Sequence, residues 1–82
     1  MTLKQFEYVS KVAEKLNITD AANELFIAQT SLTYAISELE QEMNIIIFNR
    51  TNKGITITNE GEVFLSYARQ ILGLKSQKRN FR

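Results

Sequence analysis

The sequence predicts a mainly α-helical domain that carries one small two-stranded β-hairpin. Four segments repeat apolar residues at every third or fourth position, which is the period of an amphipathic helix. One segment between residues 44 and 58 instead shows a β-branched run and strict alternation around a polar turn, which is typical of a hairpin. The chain has 82 residues, so it has room for one small domain.

Composition excludes several kinds of chemistry. The chain is 44% hydrophobic and 23% charged, which indicates a globular protein. It contains no cysteine and no histidine, which excludes disulfides, thiol nucleophiles, His-based triads and Cys/His zinc sites. Its longest apolar runs, residues 25–28 and 45–48, have four residues each and are too short to span a membrane. We therefore expect a cytoplasmic protein that is not an enzyme and uses no cofactor, metal or membrane.

Charge is unevenly distributed along the chain. Residues 1–74 hold six cations and nine acidic residues, a net charge of −3, whereas residues 75–82 hold four cations and no acid, a net charge of +4. A basic tail can lie near phosphates, and it can equally be a solvated helix end. Charge alone therefore does not select a nucleic-acid partner.

The first two helices are predicted from their apolar periods and their caps. A helix is expected over about residues 3–16, with Thr2 as its N-cap and Gln5 completing a capping box. A second helix is expected to open at Thr19, which is a suitable N-cap residue. This helix has only two turns, so it must pack on a neighbour to be stable. A turn is predicted at residues 26–28.

The third helix is predicted over residues 29–43 and has two different faces. Apolar residues fall within an arc of about 100° on one side, and short uncharged polar groups with one phenol lie on the other. A solvated face usually carries Lys and Glu, so this polar face favours contact with a partner, although ordinary solvation is the alternative. The apolar residues are Leu32, Ala35, Ile36, Leu39 and Met43, and the polar residues are Gln29, Thr30, Thr33, Tyr34 and Ser37.

The hairpin is predicted from two short strands, residues 45–48 and 55–58, around a turn at residues 52–54. Arg50 and Lys53 lie in or beside that turn. Isolated cations in a turn are commonly only solvated, so the hairpin by itself does not indicate a partner.

The last helix is predicted to begin at the N-cap Thr58 and to reach about residue 74. It is apolar over more than one face, which is more than one small core needs. We expect Ala68 and Leu72 to pack inward, which leaves a second row that two copies of the chain would bury against each other in a homodimer. The alternative is that this row packs on the hairpin and the first helix. The row consists of Phe64, Tyr67, Ile71 and Leu74.

The order of the elements is that of a helix-turn-helix followed by a β wing. Within that order, residues 19–36 resemble the signature of the LysR-type transcriptional regulators. The resemblance continues through residues 39–40, 48–51 and 54–61, so it extends over nearly the whole chain. Several motifs in the right order and spacing make the match specific.

The resemblance implies a domain organisation and a set of partners. It implies a winged helix-turn-helix DNA-binding domain over residues 1–58, followed by a linker helix and basic tail over residues 59–82 that pairs subunits. Double-stranded DNA is the implied partner. A small-molecule effector would act only through a further domain that this chain lacks.

The third helix and the wing are the expected DNA contacts. Gln29 is the best candidate for reading a base, because a side-chain amide can bond adenine N6 and N7 together. Tyr34 would contact a thymine methyl with its ring or a phosphate with its hydroxyl. The expected base contacts are Gln29, Thr30, Thr33 and Tyr34, and the expected phosphate contacts are Ser31, Ser37, Arg50 and Lys53.

Four residues depart from the family pattern. Ala28 stands where a Ser usually caps the recognition helix, at a cost of about 0.5–2 kcal/mol of capping. Thr30 replaces a common proline, and Tyr34 stands where a basic residue is frequent. Asn44 takes the place of a glycine, which is tolerable because Asn accepts positive φ. The uncharged polar face of the third helix and the net charge of −3 over residues 1–74 favour one alternative, a winged-helix protein-interaction module without specific DNA binding.

Overall fold

The computed structural model describes residues 2–73, and in that range four helices surround one core beside a two-stranded antiparallel sheet. This architecture confirms the predicted mainly α-helical class with one hairpin. The elements are α1 (Leu3–Lys15), α2 (Ile18–Leu25), α3 (Gln29–Met43), β1 (Phe48–Thr51), β2 (Gly54–Ile57) and α4 (Asn59–Leu72).

Helices α1 and α4 begin where the sequence predicts, because their caps form. The Thr2 hydroxyl accepts a hydrogen bond from the Gln5 amide at 3.2 Å, and the Gln5 side chain accepts one from the Thr2 amide at 2.9 Å. At the other end of the domain, the Thr58 hydroxyl accepts from the Gly61 amide at 2.8 Å. Both predicted caps are therefore confirmed.

Helix α2 starts earlier than predicted, and the prediction of Thr19 as its cap is wrong. Asn17 is the N-cap, and its side-chain oxygen accepts a hydrogen bond from the Asp20 amide at 3.0 Å. Thr19 is exposed inside the first turn. An Asn caps a helix at least as well as a Thr does, and Asn17 lies two residues earlier, so the helix begins at Ile18.

The first strand is displaced from its predicted place at residues 45–48. It begins at Phe48, and the pairing runs from Phe48 opposite Ile57 to Thr51 opposite Gly54. The β-branched run before it does not pair with a strand, because helix residues satisfy its backbone. The Ile47 amide donates to the Glu40 carboxylate at 2.8 Å, and the Ile47 carbonyl accepts from the Thr58 amide at 3.0 Å.

The core lies where α1, α3 and α4 meet, with the small helix α2 closing one side. Two aromatic rings join α1 to α4: Phe6 and Phe64 stack with centroids 5.7 Å apart. Alanines at positions 21 and 22 are buried, which lets α2 approach its neighbours closely. The largest fully buried side chains are Leu32, Leu39, Ile47, Leu65, Val9 and Val12.

The outer face of α4 differs from the predicted one. Phe64 is only 6% exposed and belongs to the core, so its placement in an exposed row is wrong. The inward stripe runs through Gly61, Phe64, Leu65 and Ala68, and the periodicity of a helix with two apolar stripes did not reveal which one faces the core. Tyr67 and Ile71 are exposed as expected, and Leu74 lies outside the described residues.

Candidate nucleic-acid interface

The polar face of α3 gathers most of the predicted contact residues into one place. A shallow depression on the surface of this helix contains no charged side chain in its lining, and it lies opposite the buried Leu32 and Ile36. Ser31 is exposed but does not line it. The lining residues are Gln29, Thr30, Thr33, Tyr34 and Ser37.

The N-terminus of α3 has no side-chain cap. Ala28 occupies the N-cap position with extended backbone, and no side chain accepts from the first turn. The other three helices of residues 2–73 are each capped by Thr or Asn. The first amides of α3 therefore point outward without a side-chain partner, at the positive end of the helix dipole. The predicted loss of the cap at Ala28 is confirmed.

Tyr34 is exposed, yet its hydroxyl has a partner within the helix. The hydroxyl donates to a Glu38 carboxylate oxygen at 3.1 Å, and the Tyr34 side chain is 66% exposed. This hydrogen bond, together with the negative charge of Glu38, raises the pKa of Tyr34. Sequence analysis missed Glu38, although Tyr and Glu spaced by four residues on an exposed helix face are placed to interact.

Two cations of α1 are fully engaged with acidic residues. The Lys11 ammonium lies 3.2 Å from both Glu14 and Glu24, and Lys15 also pairs with Glu24. Because each hydrogen bond stabilises both charged forms, the pKa of Lys15 is raised and the pKa of Glu24 is lowered. These charges tie α1 to α2 and are not directed at a ligand.

The wing presents its cations to solvent. Arg50 lies on β1 opposite Ile55, and Lys53 lies in the turn, where its amide donates to the Thr51 hydroxyl at 3.1 Å. Both side chains are exposed. Within residues 2–73, neither cation lies within 4.0 Å of an acidic side chain, so both charges are available to an anionic partner.

A single carboxylate joins α3 to the wing. Glu40 accepts hydrogen bonds from the amides of Ile47 at 2.8 Å and Phe48 at 3.2 Å. Phe48 begins β1, so this contact sets the wing's position relative to the polar face of α3. The residue belongs to the Leu39-Glu40 motif, but its role depends on a chain segment seven residues away and was not visible in the sequence.

A close backbone approach completes the same connection. A Cβ atom at Gly61 would lie 2.3 Å from the Ile47 carbonyl oxygen. Only glycine therefore allows the first turn of α4 to reach the chain that leads into β1. We refer to the contacts among Glu40, Ile47, Thr58 and Gly61 as the α3–α4 joint.

The outer side of α4 carries an apolar row of three residues. Val63, Tyr67 and Ile71 are 60%, 61% and 54% exposed and repeat every four residues. Val63 was not among the predicted contacts and takes the place assigned to Phe64. No helix formed by residues 2–73 combines the length and apolar character that crossing a bilayer requires.

The helix-turn-helix, the wing and the uncharged face of α3 define a winged helix-turn-helix DNA-binding domain. The family model described as bacterial regulatory helix-turn-helix protein, lysR family, matches residues 3–62. The chain therefore belongs to the LysR family and is a LysR-type DNA-binding domain, not an enzyme.

Named relatives and solved structures agree with this assignment. The chain is 40% identical over 73 residues to a probable RuBisCO transcriptional regulator of Phaeodactylum tricornutum, covering 89% of this chain and 24% of that protein. It is 40% identical over 72 residues to the HTH-type transcriptional regulator ClcR of Pseudomonas putida, with 88% and 24% covered. A solved CbnR_DBD-DNA complex matches with a TM-score of 0.86 and 35% identity, over 90% of this chain and 85% of that one. The chain thus spans about a quarter of the length of these curated relatives.

Proposed function

We propose that this domain reads DNA sequence by placing the N-terminal half of α3 in a major groove. The observation that carries the proposal is the uncharged depression on α3, which brings Gln29, Thr30, Thr33 and Tyr34 together. Base edges are neutral donors and acceptors whereas phosphates are charged, so a polar surface without charge suits a groove. The similarity to a CbnR_DBD-DNA complex supports this orientation.

Gln29 is the proposed reader of adenine, because it is exposed in the first turn and its amide can bond N6 and N7 together. Selection of bound duplexes from a random pool gives the preferred site, and fluorescence anisotropy on single-base variants then gives the preference at each position. Gln29→Ala is expected to flatten the preference at one position and to lower specific affinity about tenfold.

Gln41→Ala is the matched control for this experiment. It removes the same amide from the same exposed helix, twelve residues further along and about 18 Å away. It should leave the preference unaltered. If Gln29→Ala leaves every base preference unaltered as well, Gln29 does not read a base.

The proposed phosphate contacts are Arg50 and Lys53 from the wing, with uncharged hydrogen bonds from Ser31 and Ser37. Each cation that neutralises a phosphate contributes about 0.9 to the slope of log affinity on log salt. Replacing both cations with Ala is expected to lower that slope by about 1.8 and to weaken specific and random DNA alike. Arg69→Ala, an exposed cation outside the wing, is the control. If the slope of log affinity on log salt is unchanged in the double variant, the wing cations do not contact phosphates.

We also propose that α4 pairs two copies of the chain through Tyr67 and Ile71, with Val63 extending the row. Each large side chain covered contributes on the order of 1.5–3 kcal/mol before association costs. A two-fold dimer would place two recognition helices one turn of DNA apart. Ile71→Glu should convert a dimer to a folded monomer in sedimentation, whereas Ser66→Glu, outside the row, should not. A wild-type chain that is monomeric at all accessible concentrations would contradict pairing by this segment.

The wider role follows from the family. We propose that the domain serves a cytoplasmic transcription regulator, that residues 1–58 and 59–82 divide into DNA-binding and linker parts, and that an effector acts only through a domain outside this chain.

The competing function is a protein-interaction module, which the net charge of −3 over residues 1–74 favours. Gel shifts on selected and random duplexes at two salt concentrations separate the two. Absence of binding to either duplex at low salt would favour the interaction module.

A further inference from the structure

The Tyr34–Glu38 pair presents only hydrogen-bond acceptors on the exposed face of α3. The Tyr34 hydroxyl uses its only proton in the hydrogen bond that it donates to the Glu38 carboxylate at 3.1 Å, so its oxygen has only lone pairs left for other partners. The carboxylate is an acceptor at all its sites. Both side chains are exposed, and they lie one helical turn apart.

Among the residues that the structure describes, 2–73, no cation forms an ion pair with the Glu38 carboxylate. Helix α3 contains no Lys or Arg along its fifteen residues. Lys4 lines a second depression, between α1 and α3, together with Tyr34 and Glu38, but no cation of residues 2–73 lies within 4.0 Å of the Glu38 carboxylate. The pair therefore adds a negative charge to a surface that the proposed function directs at DNA.

A cluster of acceptors can bond only certain parts of a DNA duplex. Phosphates are negatively charged acceptors and repel it. In the major groove, guanine offers O6 and N7 acceptors and thymine offers an O4 acceptor, whereas cytosine offers the N4 amino group as a donor. Adenine offers an amino group beside the N7 acceptor, which opposes a carboxylate. Cytosine is the base whose edge matches the pair.

We propose that the Tyr34–Glu38 pair selects cytosine at one base pair of the bound site, with the Glu38 carboxylate accepting a hydrogen bond from cytosine N4. Tyr34 acts as a positioning residue that fixes the rotamer of Glu38, and its ring lies beside the same base pair. Discrimination comes as much from repulsion of guanine and thymine as from the bond to cytosine. This inference rests on the proposed placement of α3 in the major groove.

The pair lies at one edge of the polar face of α3, and Gln29 lies at the other edge. Glu38 follows Gln29 by nine residues, which is about 13.5 Å along the helix axis and about half a turn around it. The proposal therefore extends the DNA contact one turn beyond the N-terminal half of α3, with Gln29 and Glu38 approaching different base pairs from opposite sides of the helix. The two residues are expected to control separate positions of the sequence.

The test is selection from a random duplex pool with the 82-residue chain and three variants. Wild type should select cytosine about tenfold over guanine at one position of each half-site. Glu38→Gln should abolish that preference, because an amide can donate as well as accept, and should strengthen binding to random DNA by removing a repulsive charge. Tyr34→Phe should give an intermediate preference, because Glu38 remains but its rotamer is free.

Glu7→Gln is the matched control, since it removes the same charge from an exposed position on α1. It should retain the wild-type preference at every position and shows how much of any gain on random DNA reflects net charge. Far-ultraviolet circular dichroism confirms that each variant folds.

Two results would overturn the proposal, and they differ in meaning. If Glu38→Gln selects the same bases as wild type at every position while Gln29→Ala alters its own position, the pair does not read DNA but the proposed function stands. If wild type selects no sequence at all, the proposed function fails and the inference fails with it.

Discussion

The two ends of α3 differ in whether their polar groups form hydrogen bonds within the protein. At the C-terminal end, the Glu40 carboxylate accepts hydrogen bonds from two backbone amides, and Asn44 ends the helix in a left-handed conformation at φ 57°. At the N-terminal end, Ala28 provides no side-chain cap and the first-turn residues are exposed. The carboxylate near the C-terminal end is used in internal hydrogen bonds, whereas the polar side chains of the first turn are exposed to a partner.

The difference indicates which end is structural and which is functional. A polar group paired inside the protein cannot be lost without a cost in stability, because its partner stays unsatisfied. A polar group left facing solvent contributes little to folding and can be exchanged with a base or a phosphate. Substitutions in the α3–α4 joint should therefore alter folding first, and substitutions at the N-terminal end should alter DNA binding first.

The largest effect is expected for Gly61→Ala in the joint. The added Cβ would lie 2.3 Å from the Ile47 carbonyl oxygen, a backbone atom that cannot move alone. We expect a loss of about 3 kcal/mol in the free energy of unfolding. Urea denaturation measures it, with Ser66→Ala on the exposed side of α4 as the control. A loss no larger than that of the control would show that the joint adapts without strain.

Glu40→Ala is expected to have the next largest effect. It leaves the amides of Ile47 and Phe48 without their carboxylate partner, at a cost of about 2 kcal/mol. It should also lower the salt dependence of DNA binding, because the wing loses its tie to α3. Glu7→Ala, an exposed acid on α1, should do neither. A Glu40 variant with wild-type stability would show that the C-terminal end of α3 does not contribute to folding in the way proposed.

Ala28→Ser should give the N-terminal end of α3 the side-chain cap that it lacks. The backbone at Ala28, with φ −71° and ψ 148°, already suits a capping side chain. A Ser hydroxyl there is expected to stabilise the domain by about 1 kcal/mol in urea denaturation. Ala35→Ser, in the interior of the same helix, should not stabilise it. If Ala28→Ser adds nothing, the missing cap is not the weak point of this helix.

The sequence predicts well those features that local chemistry decides. The bounds of α3, the caps Thr2 and Thr58, and the absent cap at Ala28 all follow from residues within one turn of each position. Asn44 adopts the left-handed conformation that a residue in place of glycine requires. In these cases no distant segment competes for the same backbone groups.

Predictions failed where a distant segment decides the outcome. The β-branched residues 45–47 favour a strand, but Glu40 and Thr58 take their hydrogen bonds. Phe64 fits either stripe of α4, and the ring of Phe6 determines that it lies inside. The Tyr34–Glu38 hydrogen bond is a different case, because both residues lie within about one turn of α3 and their spacing of four residues already indicates the contact.

The smallest effect expected concerns the ionisation of Tyr34. Its pKa is raised above the ordinary value of about 10 by the hydrogen bond to Glu38 and by the negative charge of that residue. Because the folded pKa is the higher one, this contact stabilises the domain fully below about pH 10 and is lost as pH rises through the folded pKa.

Ultraviolet titration at the phenolate band tests this in a chain carrying Tyr8→Phe and Tyr67→Phe, which leaves one tyrosine. The midpoint should lie above the ordinary value and should return toward it in the same chain with Glu38→Gln, while Glu7→Gln leaves it unchanged. A midpoint that Glu38→Gln does not lower would show that the hydroxyl is free in solution. Tyr34 would then be able to donate to a phosphate, and the N-terminal half of α3 would approach the DNA backbone as well as the bases.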